Sequence, residues 1–465
     1  MNKLKTTLLI LGSTLLMSAC NDDDDPVSPM PVPPAPPAPP AMTEVRVIHA
    51  SPDAPAVNIL ANGAAVEALA GLDYQAASGL LSLDAGEYTF VVDALLPGDQ
   101  TASVITVEAM LEGEKEYNVL AVGDTASIEA LLVVNDNTDV TEGNVRAQVV
   151  HAAPDAPTVD VYVTAVDADI EAEQPLATLA FKDFTPQVEI AAGDYQIRIT
   201  PAGTKTVVFD SGSVTLSAGA DLLISATENV ATGMSPVKLL VADGSSSSKI
   251  MDVNTPAEVR AIHGIADAPA VDVLALPFDA AGVLLFDGAP FKGVTDYLAV
   301  EATDYILTVV ADADNNVVAI DDVNLSLEAG VRYTALANNT LANADLDTII
   351  DDGRRVATAA LVRIFHASQA TPGVDIYVTA DGEIDNVDPA FTNVEYSTDM
   401  LAETGYVSLA AGDYVVTVTP TGTKTKAIET GVLSLEVNKI YTAIAVDGDM
   451  AGDAPQLILA DDFIN

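Results

Sequence analysis

The chain repeats one phrase four times, and the repeat fixes its architecture. His49 sits in VRVIHASPDAPAVNIL, His151 in RAQVVHAAPDAPTVDVYV, His263 in VRAIHGIADAPAVDVLAL and His366 in VRIFHASQATPGVDIYV. These are the only histidines, and they follow one another at steps of 102, 112 and 103 residues. A phrase recurring at the length of an ordinary domain marks four copies of one domain.

Each copy opens with an apolar strand ending in histidine. A turn follows, then a second strand: 57–60, 159–163, 271–276 and 374–378. Pro55, Pro157, Pro269 and Pro372 lie six residues after their histidines. Proline fixes φ and donates no hydrogen bond, so it closes one strand and sets the turn. Asp53, Asp155 and Asp267 stand four residues after the histidine, with Ala370 in the fourth copy. A second landmark pairs an acid with tyrosine (AGEY 85–88, AGDY 192–195, ATDY 302–305, AGDY 411–414), each opening a β-rich run. A third comes later: YNVLA 117–121, DLLISA 221–226, YTALA 333–337 and YTAIA 441–445. Several short strands per unit, turn signals between them and no sustained helical period predict an all-β array of sandwiches. The expected units are 43–143, 144–250, 251–355 and 356–465. Copies 2 and 4 share GTKT (203–206, 422–425), so the array reads as a doubled two-domain unit. DGSSSSK (243–249) reads as a polar linker.

Arginine, two apolar residues, histidine and then Pro-Asp-Ala-Pro, with the later AGEY, closely resemble the bacterial domain-of-unknown-function family 4397. The resemblance runs over residues 43–465. It implies four immunoglobulin-like β-sandwiches in an exported envelope protein, without an established activity. Departures are Gln148 where Arg46, Arg260 and Arg363 stand, Ala266 for the first proline of copy 3, and SQATPG (368–373) in copy 4.

Residues 1–19 read as a signal peptide: Lys3 and Lys5, an apolar stretch from Thr6 to Met17, then Ser18 and Ala19 before the single cysteine, Cys20. This resembles a bacterial lipobox, which implies acyl chains on Cys20 and a stable membrane anchor. Asn21 follows, rather than an inner-membrane retention aspartate, which points to the outer membrane of a Gram-negative cell. Residues 20–42 carry four aspartates and a proline run, an extended tether. With one cysteine and no tryptophan, no intrachain disulfide forms and each unit depends on its core.

Asp and Glu number 68 against 19 Lys and Arg, a net charge of −49. Such a surface repels nucleic acid and attracts divalent or cationic partners. The plainer reading is solubility. DADNN (312–316) places Asp312, Asp314 and Asn316 at alternate positions like the start of a calcium loop. Val317 and Val323 stand where an EF-hand needs glycine and glutamate, so that motif fails. Calcium at acidic junctions such as 135–144 stays an expectation.

Four histidines on four domains cannot converge on one metal. Each could pair with Asp53, Asp155 or Asp267, but no nucleophile elbow or cysteine accompanies the pair. A histidine holding its turn is therefore favoured over a catalytic one. The strand arginines could bridge to the position nine residues after histidine (Asn58, Asp160, Asp272 and Asp375); copies 3 and 4 could form the ion pair, while copies 1 and 2 each lack one partner. The sequence thus predicts a non-enzymatic, lipid-anchored rod of four sandwiches. Its partner would be glycan, matrix or another envelope protein. A periplasm-facing scaffold is the first alternative and a His–Asp envelope hydrolase the second.

Overall fold

Alternating apolar residues between turn signals become strands throughout. In the computed structural model, residues 41–277, 283–371, 373–397, 401–448 and 453–464 are described. Cys20, the leader, nearly all of the tether and Pro372 lie outside them.

Unit 1 shows the plan. Its strands are β1 (Met42–His49), β2 (Val57–Ala61), β3 (Ala64–Ala65), β4 (Ala76–Ala77), β5 (Leu81–Asp84), β6 (Gly86–Leu96), β7 (Gln100–Leu111), β8 (Lys115–Val122) and β9 (Glu129–Asp136). One sheet has the order β4-β1-β8-β9, with β5 also on β1, and the facing sheet runs β3-β2-β6-β7. Among the described residues, eight such sheets make four sandwiches of immunoglobulin-like form. All other pairs in unit 1 are antiparallel, but β1 and β8 run parallel, with Arg46 opposite Asn118 and His49 opposite Ala121. The same parallel pair recurs between Asn144–His151 and Asp221–Glu228, Ala257–His263 and Arg332–Asn338, and Ala360–His366 and Lys439–Val446. The third sequence landmark is thus the neighbour of the histidine strand.

The histidine strand is apolar on both faces because both are covered. Val45 and Val47 point into unit 1's own core. Ile48 points the other way and joins Leu120 and Val133 against Val150, Leu223 and Leu240 of unit 2. Units 3 and 4 pair likewise, Ile262 and Leu336 meeting Phe365, Ile444 and Ile458. Near-continuous apolar strands are what two-sided burial requires. The expected rod therefore gives way to sandwiches packed face to face in pairs.

Two further expectations change. The tract 243–249 runs into a strand, Ser247–Ile250, which pairs with Val237–Ala242. Asp243 turns the chain back by accepting the Ser245 and Ser246 N–H groups at 3.0 and 2.7 Å, which holds its carboxyl down at about 2. DADNN is the tip and start of a hairpin, Ala311 lying opposite Asp314. No helix among the described residues is long and apolar enough to cross a membrane.

Candidate functional site

The repeated phrase builds a closed turn at the end of each histidine strand. His49 Nε2 meets the Pro55 carbonyl at 3.0 Å, His151 that of Pro157 at 3.0 Å and His263 that of Pro269 at 3.0 Å. Nδ1 accepts the backbone N–H two residues on, from Ser51 (3.4 Å), Ala153 (3.4 Å), Ile265 (3.2 Å) and, at His366, Ser368 (3.4 Å). An accepting Nδ1 in the first three turns assigns the proton to Nε2, which donates to the proline carbonyl. An aromatic ring stands edge-on to each imidazole: Tyr74, Phe181, Phe291 and Tyr396, with centroids 6.2 to 6.4 Å away. The histidines are 0 to 2% exposed, and burial pushes His49, His151 and His263 below the usual imidazole range. They are neutral near pH 7.

The aspartates do not join them. Asp53 Oδ1 accepts the Thr125 N–H (2.7 Å) and hydroxyl (3.0 Å), and Asp267 Oδ1 accepts the Leu341 N–H at 2.7 Å. Both carboxylates accept the first N–H of a short 3₁₀ turn, Thr125–Ser127 and Leu341–Asn343, a group that the turn's own bonding leaves over. Asp155 lies beside the Glu228 carboxylate, which burial and the Asp155 charge push above the usual range. At Ala370, Asp447 supplies the carboxylate from the other side, accepting the Ala370 N–H at 3.1 Å and the Ser368 hydroxyl at 2.5 Å.

The arginines also depart from their expected partners. Arg46 donates to Asn118 Oδ1 (2.7 Å), Glu116 Oε1 (3.1 Å) and, across the pair, the Ala242 carbonyl (3.0 Å). Arg260 reaches across to Asp461 at 2.6 Å, while Arg363 reaches back to Asp351 and the Ile350 carbonyl (2.9 Å). Gln148, the departure from arginine, receives Asn135 Nδ2 of unit 1 at 2.8 Å. This position is the polar bolt of each pair. Position nine after histidine instead caps turns. Asn58 accepts the Gly71 N–H (2.8 Å), Asp160 that of Gly203 (2.8 Å), Asp272 that of Gly288 (2.8 Å) and Asp375 that of Gly422 (2.8 Å).

Sequence reasoning missed three groups. Ser78, Thr185, Thr295 and Thr404 hydroxyls accept the backbone N–H of Val47, Val149, Ala261 and Ile364 at 2.9 to 3.0 Å. They lie 29, 34, 32 and 38 residues after their histidines, a variable spacing that hides the pattern. The aromatic partners of the histidines are hidden the same way. The third is Arg354, between units 3 and 4. It donates to the Pro52 carbonyl (3.1 Å), to the Ala54 carbonyl and to Asp73 (2.7 Å), with its guanidinium over Tyr74 at 5.3 Å. The histidine turn of unit 1 is therefore a seat for a segment 300 residues away.

The acidic calcium candidates separate. Asp312 gathers with Asp272 and Asp287, their oxygens within 4.8 Å of one another; the Asn316 side chain lies outside the described residues. One oxygen of Asp272 already accepts the Gly288 N–H.

A multi-sandwich β protein whose repeated motif latches turns and joins neighbouring units is the class this geometry defines. The chain belongs to the family described as "Domain of unknown function (DUF4397)", which matches residues 43–162, 257–377 and 360–464. No curated protein matches it. Among solved structures it is similar to the Bacillus anthracis TIE protein, at 11% identity and a TM-score of 0.17. That match covers 83% of this chain and 65% of the other, just under two thirds of its length.

Proposed function

We propose that the chain is a non-enzymatic, lipid-anchored protein of a Gram-negative outer membrane. Four copies of the family domain present loops to a glycan, matrix or envelope-protein partner. The observation that carries this reading is the use made of the repeated motif. In units 1 to 3 both imidazole nitrogens are engaged by backbone of their own turn, and Asp53 and Asp267 hold 3₁₀ turns. A general base must reach a substrate proton, and these rings are enclosed. That Asp53 and Asp267 bond the 3₁₀ turns and not their histidines supports this reading over a His–Asp hydrolase. The anchor rests on the leader: its single cysteine follows two small residues, and the proline run behind it is a spacer. The acidic surface suits a soluble exported array.

Protease treatment of intact cells, with an immunoblot for unit 4 and a periplasmic control, tests display. Loss of unit 4 with the control intact is expected. Survival until the outer membrane is opened would favour a periplasm-facing scaffold instead. Esterase, phosphatase and glycosidase substrates offered to the wild type and His151→Ala are expected to show no turnover that depends on the histidine.

A further inference from the structure

Arg354 docks on unit 1 against a defined set of groups, and the strand registers locate the same positions in the other units. Val57, eight residues after His49, pairs with Leu72, and Asp73 and Tyr74 follow. The equivalent pairs are Val159 with Leu179, Val271 with Ala289 and Val374 with Val394. The next two residues are Ala180 and Phe181 in unit 2, Pro290 and Phe291 in unit 3, and Glu395 and Tyr396 in unit 4. Units 1 and 4 alone join an acid to a tyrosine at this place.

Their turns are alike in backbone as well. Ser51 and Ser368 each donate their N–H to the histidine Nδ1 at 3.4 Å. Tyr74 and Tyr396 stand edge-on to their imidazoles at 6.2 and 6.4 Å. In unit 1 the guanidinium spans this frame. Nε donates to the Pro52 carbonyl (3.1 Å), Nη2 to the Ala54 carbonyl and Nη1 to Asp73 (2.7 Å), above the Tyr74 ring. The carbonyls at these places in unit 4 are those of Gln369 and Thr371, and no described residue's N–H donates to either.

The charges differ in one respect. Burial and the Glu228 charge push the Tyr74 hydroxyl up, and Arg354 opposes them. Burial pushes the Tyr396 hydroxyl up too, and the charges acting on it, from Asp347, Asp345 and Asp447, are all negative. Asp345 and Asp347 belong to unit 3, so both members of the pair face this turn with acids.

We propose that the histidine turn of unit 4 docks an arginine side chain of a partner protein. The guanidinium donates to the Gln369 and Thr371 carbonyls and to Glu395, and lies on the half-buried Tyr396 ring. Glu395 is exposed; its Oε1 accepts from Asn393 Nδ2 at 3.0 Å, which leaves Oε2 for the ligand. Three acceptors and a ring face suit the planar fork of arginine better than the point charge of lysine. The chain's own eight arginines all have partners within it, so the occupant comes from a different protein. The chain's net charge of −49 complements a basic one. This inference rests on the geometry of the turn and not on anchoring or display, which protease treatment tests separately.

The test is fluorescence anisotropy of a fluorescein-labelled peptide of alternating glycine and arginine, titrated with the full chain at physiological ionic strength, where diffuse attraction is screened. Saturable binding is expected, about tenfold tighter than that of the lysine counterpart. Glu395→Gln is expected to weaken the arginine peptide about tenfold, and Glu108→Gln, an exposed acid of unit 1, to leave it unchanged. Absence of saturable binding, equal affinity for the two peptides, or an affinity that Glu395→Gln leaves intact overturns the proposal. Should Glu395→Gln not fold, the wild type decides: the backbone amide signals of residues 368–371 are expected to shift as the arginine peptide is added, and signals that stay in place overturn the proposal equally.

Discussion

At the scale of the residue, the histidine turn converts a titratable side chain into a neutral strut. His151→Ala removes a donor and an acceptor from a site 1% exposed and strands the Pro157 carbonyl. An unmade buried hydrogen bond costs about 1–3 kcal/mol, and the melting temperature of the chain is expected to fall accordingly. Because burial lowers the folded-state pKa of His49, His151 and His263, the unfolded chain binds protons more readily. Their contribution is fully present above the unfolded value of about 6.5 and is lost as pH drops below it. Denaturant midpoints measured from pH 7.5 down to 5 are expected to decline, and less steeply in His151→Ala than in the wild type. The landmark tyrosines each donate to the carbonyl four residues back, as Tyr195 does to Ala191 at 2.7 Å. Tyr195→Phe should therefore cost about 1 kcal/mol, read from the same midpoints. The histidine and proline positions were legible in the sequence because their spacing is constant, and the tyrosines because each closes a short phrase with an acidic residue before it. The arginine partners were not. Spacing along a strand shows which residues share a face, but not that this face meets another domain.

At the scale of the element, the histidine strand is the shared wall of two cores. Its unbroken apolar run was readable as a buried strand, and its neighbours were marked by the third landmark. The parallel pairing with that landmark was invisible, because direction leaves no trace in alternation. The polar tract 243–249 was misread for a related reason: an exposed edge strand such as Ser247–Ile250 carries no apolar period. The pairing makes the bolt testable. Arg363 and Asp351 are each buried, and their side chains meet across the interface of units 3 and 4. Removing one member of a buried pair costs about 3–5 kcal/mol, since the other charge stays behind. Arg363→Leu is expected to lose stability on that scale. Asp351→Asn added to it is expected to recover part of the loss, with the coupling read from a double-mutant cycle.

At the scale of the whole molecule, residues 40–465 form one compact unit built from two face-to-face pairs. Arg354 adds a tie from the segment before unit 4 to the histidine turn of unit 1. The fourfold repeat and the fold class were plain in the sequence. The pairing was hinted at by the likeness of copies 2 and 4, but its geometry depends on the outward residue before each histidine: Ile48, Val150, Ile262 and Phe365. Burying such a side chain contributes about 1.5–3 kcal/mol, and a carboxylate in its place would face an apolar wall. Hydrogen exchange on the full chain carrying Phe365→Asp tests the pairing most directly. Faster exchange is predicted in Ala257–His263 of unit 3 as well as in Ala360–His366, with Met42–His49 and Asn144–His151 unchanged. Faster exchange confined to unit 4 would contradict the account.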